Sequence, residues 1–247
     1  MINLVKAECY QLTQRKSARA WFVAAVILGL FAAILPDIVA HFSDLPKFST
    51  QVKTVLFAES IINTAVFLLL SIVGTAFNHE LKNRTLVNSI SYGFSRKQIY
   101  LSKLIGSAIM TAVFVILAIL TFGIVAPLIS GGSSLAVWAD LAPIFKYVPI
   151  WLAYLGLYVW IAFLSESNTP TYIMLALIVF VFPLAFQLGQ SYDISWLQAI
   201  EPYFLTQLNP DRTINLFGIN AAPFIALAYL IGFTLFGIHL FNKKEIK

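Results

Sequence analysis

Apolar runs of about 20 residues recur along this chain, and they constrain its fold more than any other feature. They cover residues 21–40, 55–77, 105–129, 148–164, 171–189 and 221–241. Wound as α-helix at about 1.5 Å per residue, each is long enough to cross the roughly 30 Å hydrocarbon core of a bilayer. Lipid offers no partner to a backbone N–H or C=O, so only helices and closed barrels span it. Barrel strands would appear as alternating segments of about 10 residues, and these runs do not alternate. Only 11 % of the residues are charged and 60 % are hydrophobic, whereas a soluble domain carries about 25 % charged residues. The sequence therefore predicts an all-α polytopic membrane protein with six transmembrane helices, folded as one transmembrane domain over residues 1–247.

The 16 Lys and Arg residues orient it. With the N-terminus inside, four lie in residues 1–20, five in the loop before the third span and three after the sixth, which puts 12 inside against four outside. The positive-inside rule then predicts a multi-pass protein of the cell membrane with both termini and that loop in the cytoplasm. Because the basic residues fall in short inter-helix segments without an aromatic–basic stacking surface, the net charge of +5 does not indicate nucleic-acid binding. A single cysteine, Cys9, excludes an intrachain disulfide framework.

Residues 1–19 place Ile2, Val5, Cys9 and Leu12 at helical spacing against Lys6, Gln11, Arg15 and Lys16. This predicts an amphipathic helix lying in the inner interface of the bilayer, with a polar lead too long for a cleavable signal. In the first span, Ala25, Gly29 and Ala33 form a small-xxx-small row that lets another helix approach closely. Ile129–Ser134, ISGGSS, reads as a flexible linker. Pro183 should kink the fifth span, because its ring excludes one backbone hydrogen bond. Residues 190–220 mix polar groups with Ile194, Trp196, Leu197, Ile200, Tyr203 and Phe204, a composition suited to short interfacial helices.

The motifs of common chemistries are absent from the sequence. It has no G-x-x-x-x-G-K-[ST] or G-x-G-x-x-G loop for phosphates and no G-x-S-x-G elbow. His41, His79 and His239 share no metal-ligand spacing, and no cofactor is expected on this chain. Asp37 marks the outer end of the first span, and Glu59 is a carboxylate inside the second. A charge there either serves a transport pathway or reaches the outer headgroups, which makes Glu59 a candidate by default.

The most informative stretch is the loop from Phe77 to Leu104. It carries Lys82, Arg84, Arg96, Lys97 and Lys103 against one acid, Glu80. Ser95-Arg96-Lys97-Gln98 fits a capping box, in which the serine caps a new helix and the glutamine reaches back. Gly93 suits the end of the preceding helix. A short helix ending near Tyr92 is thus predicted, then a sharp turn, then a helix from Ser95 running into the third span. Leu86, Val87 and Ile90 would give the short helix an apolar edge beside Arg84, Asn88 and Ser91, and such an edge invites a protein partner.

Glu80, then Arg84-Thr85, then Ser95-Arg96 and Lys103, between the second and third of six spans, resemble the type-2 export permeases of ABC transporters. In that family an acidic residue ends the second span, a Gly-Thr or Arg-Thr step opens a cytoplasmic coupling helix, and a Ser-Arg…Lys stretch starts the third span. Here Asn83 and Arg84 precede Thr85, where many members have a glycine. The resemblance implies a separate ABC ATPase subunit that holds ATP and Mg, and a second permease copy or a related permease. It also implies that Glu80, Arg84, Thr85, Leu86, Val87, Ile90, Tyr92, Ser95, Arg96, Lys97 and Lys103 couple the two proteins. Glu80, Arg84 and Arg96 would hold the loop through ion pairs at the inner membrane surface. Length and the lack of a large extracellular domain are similar to the permeases of lantibiotic-immunity and bacitracin-resistance exporters, whose cargo is an antimicrobial peptide or another amphipathic or lipid-like molecule. Two other classes stay open at this point: a non-transporting sensor or scaffold subunit, and an integral membrane enzyme.

Overall fold

The computed structural model describes residues 1–43, 46, 48–82, 91–131, 133–165, 173, 176–210, 215–216 and 219–243. Its helices are α1 (Ile2–Gln14), α2 (Lys16–Phe42), α3 (Thr50–Lys82), α4 (Arg96–Ser130), α5 (Ser134–Leu141), α6 (Val148–Ser165), α7 (Phe182–Ser191), α8 (Ser195–Ile200) and α9 (Ala222–Lys243). A 3₁₀ helix, Ala142–Tyr147, joins α5 to α6, and a π-helical turn, Leu177–Val181, leads into α7. Among the described residues, five stretches are long and apolar enough to cross a membrane: Lys16–Phe42, Thr50–Phe77, Arg96–Ser130, Ser134–Leu164 and Ala222–Lys243. They contain the apolar runs at 21–40, 55–77, 105–129, 148–164 and 221–241, apart from Ala221, and several continue well past them. With 33 and 35 residues, α3 and α4 are about 50 Å long, roughly 20 Å more than the hydrocarbon core requires. Part of each must stand in the interface or in water.

The chain forms two compact units. One comprises Cys9–Leu68 and Ile109–Phe145. Here the small-residue row of α2 does what its spacing predicts: Ala25, Gly29 and Ala33 are all buried. A Cβ on Gly29 would come within 2.7 Å of Ala118 O and 2.8 Å of Thr121 Cβ on α4, so only glycine permits this approach. In α3 the buried stripe is Lys53, Phe57, Ile61 and Ala65, the four-residue spacing of one helix face. Phe57 stacks on Phe122 of α4, with ring centroids 4.2 Å apart and planes within 3°. Lys53, which the hydropathy pattern left in an outer loop, is 1 % exposed. Its ammonium donates to Asp37 Oδ2 at 2.6 Å and to Ser130 Oγ at 2.8 Å. One end each of α2, α3 and α4 is tied together by this lysine.

Of the ISGGSS stretch, read from its composition as a flexible linker, Ile129 and Ser130 end α4 and Ser134 begins α5, while Gly132 lies outside the described residues. Gly131 adopts φ +67 and its N–H closes α4 on Pro127 O at 2.9 Å; α5 starts at Ser134. A positive φ costs glycine little, so the helix ends abruptly there.

The other unit comprises Met1–Glu8, Leu69–Ala108 and Lys146–Lys247. Within it α6 and α9 run parallel, since their contacts rise together in number. Gly156 faces Leu230, Trp160 stacks on Phe233 at 5.6 Å, and Phe163 meets Phe241 at 4.4 Å. Of the apolar run at 171–189, residues 173 and 176–189 are described, and these do not make up a membrane-length helix. Pro183 stands in the first turn of α7. The π turn directly before it widens the backbone where the ring would otherwise strike the preceding carbonyl, so the expected distortion takes this form.

The described residues of 190–220 include short helices, as the composition suggests: α8, then 3₁₀ turns at Glu201–Tyr203 and Leu205–Gln207. Glu201, 6 % exposed, accepts from Gln190 Nε2 through both carboxylate oxygens, at 3.0 and 2.8 Å. A two-residue antiparallel pair, Asn215–Leu216 with Ile219–Asn220, was not foreseen. It is too small to alter the all-α class.

Candidate functional site: the helix ends beside the basic loop

The start of α4 is built as its sequence demands. Gln98 N–H donates to Ser95 Oγ at 3.3 Å while Ser95 N–H donates to Gln98 Oε1 at 3.1 Å, so both halves of the capping box form. Ahead of it Gly93 has φ +87, the left-handed conformation that turns the chain sharply. Tyr92, at 83 % exposure, and Phe94 stand out from this turn, and Ser95 and Lys97 are exposed as well.

Arg96 faces inward. Its Nη1 donates to Phe241 O at 2.7 Å and Asn242 O at 3.0 Å, and its guanidinium carbon lies 5.7 Å from the centre of the Phe241 ring. The last carbonyls of a helix have no intrahelical donor and carry the negative end of its dipole, so a planar cation suits this position. The first turn of α4 is thereby joined to the last turn of α9. One turn further along α4, Tyr100 is fully buried and brings its hydroxyl end against Gly237 of α9, where a Cβ would collide with it.

Phe163 of α6 is the hub of the cluster. It contacts Tyr100 at 4.8 Å, Phe77 at 4.6 Å and Phe241 at 4.4 Å, which gathers the ends of α3, α4, α6 and α9. Lys103 closes the arrangement. Only 1 % exposed, its ammonium donates to Glu8 Oε1 at 2.9 Å and lies 5.3 Å from the Phe77 ring centre. Glu8 belongs to α1, so the amphipathic N-terminal helix is pinned by its single acid. A charge pair this dry is weak evidence for net stability, but removing one partner is costly, which makes it a strict positional constraint.

The structure thus brings Ser95, Arg96 and Lys103 into one assembly and leaves Tyr92 and Lys97 on its surface. Glu80 lies in the last turn of α3, but its side chain is outside the described residues, as are Arg84, Thr85, Leu86, Val87 and Ile90 entirely. Arg96 was expected to act through ion pairs; its grip on the α9 carbonyls is a role that expectation did not contain. Glu59 lies in the other unit, exposed, on the face of α3 opposite the Lys53–Phe57–Ile61–Ala65 stripe. Asn63 Nδ2 donates to its backbone carbonyl at 3.0 Å.

Sequence reasoning missed Glu8, Phe77, Tyr100, Phe163 and Phe241. A signal existed for Glu8: it is the one acid in the first 36 residues and shares a helix face with Val5 and Leu12. The aromatic residues gave none, since phenylalanine is common throughout the spans. No protein-family model matches the chain, and no curated protein is similar enough to it to indicate a relative.

Proposed function

We propose that this chain is the transmembrane permease subunit of an ATP-driven exporter, with a separate ATPase docking on the turn around Tyr92. The observation that carries this reading is the mechanical continuity behind that turn. A push on the exposed Tyr92–Phe94 segment reaches α4 through the capping box, α9 through Arg96, and α1 through Lys103 and Glu8. Transport requires a two-state element whose equilibrium ATP and cargo both bias, and helices joined rigidly at one face can move as such an element. The resemblance of Glu80, Arg84-Thr85, Ser95-Arg96 and Lys103 to type-2 export permeases supports the same assignment.

Six spans fit this reading, and a geometric argument favours them. Since α6 and α9 are parallel, two spanning helices so arranged require the intervening chain to cross the bilayer an odd number of times. The apolar run at 171–189 is the segment able to do so. The excess of basic residues places the Tyr92 turn and both termini in the cytoplasm. A second copy or a related permease completes the pathway, and ATP and Mg reside on the partner. The spans hold few polar groups, so an antimicrobial peptide or other amphipathic, lipid-like cargo suits them better than a sugar or a strongly charged solute.

Purification from the native membrane in mild detergent tests the proposal. A stoichiometric ATPase subunit should accompany the wild-type chain and be lost from Tyr92→Asp, which leaves the buried cluster intact. Recovery of the chain alone in several detergents would refute the permease reading and favour a non-transporting subunit or a membrane enzyme.

A further inference from the structure

Glu59 takes no part in the assembly around Tyr92, yet its position on α3 is costly. It follows Lys53 by six positions, about 9 Å along the helix axis. Lys53 and Ser130 lie just outside the apolar runs of α3 and α4 and meet at 2.8 Å, so their contact marks the edge of the hydrocarbon. Glu59 stands well inside that edge. Its side chain leans towards the helix N-terminus, and so towards the edge, but is shorter than the interval. Glu59 is exposed, and its carboxylate has no ion pair or hydrogen bond among the described residues. Asn63, one turn deeper, is exposed too. Its Nδ2 donates to the Glu59 carbonyl at 3.0 Å, which leaves Oδ1 as an acceptor. Leu56, Glu59, Asn63 and Phe67 recur at helical spacing and are all exposed, so one face of α3 presents two acceptors between apolar side chains.

Charge and hydrogen bonding decide what covers this face. Lipid tails offer neither a counterion nor a donor, and ionisable groups within spans turn to partners or water-filled cavities instead. A second copy packed here across a two-fold axis would set carboxylate against carboxylate. An amphipath that carries an ammonium supplies what is missing: positive charge and N–H donors for Glu59 and Asn63, and an apolar body for Leu56 and Phe67. We propose that this face of α3 lines the cargo pathway and binds the ammonium of a cationic amphipath, with Glu59 as its counterion and Asn63 as a second acceptor. The inference rests on the exporter reading and narrows it, from amphipathic cargo in general to cargo with a positive headgroup. Neutral and anionic amphipaths would leave Glu59 unpaired.

Asn63→Cys combined with Cys9→Ser places a single thiol one turn from Glu59. The full chain is reconstituted in phosphatidylcholine vesicles and treated on both sides with two methanethiosulfonates, one bearing trimethylammonium and one bearing sulfonate. The thiol should react, because a cargo pathway admits water, and the cationic reagent should be favoured. Glu59→Gln should slow that reagent by about threefold or more, the effect in water of one charge roughly 6 Å away. Dodecylammonium should protect the thiol when Glu59 is present and not in Glu59→Gln, whereas dodecyl maltoside should protect neither. Ile27→Cys is the control for depth. Ile27 lies ten positions from Asp37, as Asn63 does from Lys53, and it is exposed on α2; a thiol there should stay unreactive. No reaction at position 63 would overturn the proposal, since lipid would then cover the face. Equal reaction at positions 27 and 63 would do the same by showing mere reach of interfacial water. So would a cationic preference, or protection by dodecylammonium, that survives Glu59→Gln. The two readings fail separately: purification without an ATPase refutes the permease, whereas these rates test the face of α3 alone.

Discussion

Separating Glu8 from Lys103 should release α1 while leaving the spans folded. The pair is 2.9 Å long, with side-chain exposures of 10 % and 0 %. Replacing one partner of such a pair leaves an uncompensated charge and typically costs about 3 kcal/mol or more, whereas replacing both by apolar groups of similar size is often neutral. Glu8→Leu and Lys103→Met should therefore each weaken the attachment of α1 by about 3 kcal/mol, and the double variant by much less than the two combined. At about 1.4 kcal/mol per factor of ten, 3 kcal/mol raises the detached population by about two orders of magnitude. The chain carries its own probe. Cys9, its single cysteine, adjoins Glu8 and is half-buried, so maleimide labelling in detergent reports detachment without any engineered site. Labelling should accelerate by up to about 100-fold in each single variant, until it reaches the rate of a free thiol, and return towards wild type in the double variant. Equal labelling of all four proteins, or a double variant as fast as the singles, would refute the claim that this pair holds the helix.

Other consequences follow from the same contacts. Gly29→Leu should lower the thermal midpoint in detergent, with a cost of about 3 kcal/mol, because no side chain fits against Ala118 O and Thr121 without separating α2 from α4; an unchanged midpoint would contradict that packing. Asp37→Asn should destabilise more than Lys53→Met, since it strands an ammonium that is 1 % exposed, whereas the carboxylate left by the other change is 21 % exposed, and the reverse order in thermal melts would be unexpected. Arg96→Lys keeps the charge but loses the planar grip on two carbonyls, so cargo-stimulated ATPase activity of the proposed complex should fall several-fold with membrane insertion intact. Cysteines placed at Ser167 and Tyr192, in a chain with Cys9→Ser, should react with an impermeant thiol reagent from opposite sides of sealed vesicles; reactivity from one side would remove the fifth crossing.

The sequence announced the spans clearly because lipid leaves the backbone few choices, and the apolar runs alone locate five membrane-length helices. It also announced the capping box, since Ser95 and Gln98 interact locally and their spacing contains the geometry. What it concealed was long-range. Arg96 and Lys103 look alike in a basic loop, yet one binds carbonyls at the end of α9 and the other a carboxylate in α1. Lys53 resembled a loop cation because hydropathy averages over neighbours, whereas its burial depends on Asp37 and Ser130 arriving from two other helices. Phe163 is one of 21 phenylalanines, and nothing in its local sequence distinguishes the hub of the cluster from a residue that faces lipid.

The clasp between Arg96 and the end of α9 spans 146 positions of sequence to Asn242. During synthesis, α4 is complete long before its acceptors have left the ribosome. Until then the guanidinium lacks the carbonyls it will hold, and Tyr100 lacks the glycine it packs against. The face that bears the Tyr92 turn is accordingly finished only when α9 has been inserted. A nascent or truncated chain cannot display it, so the fold contains a checkpoint: a partner that recognises this face would meet only chains whose last helix is already in place.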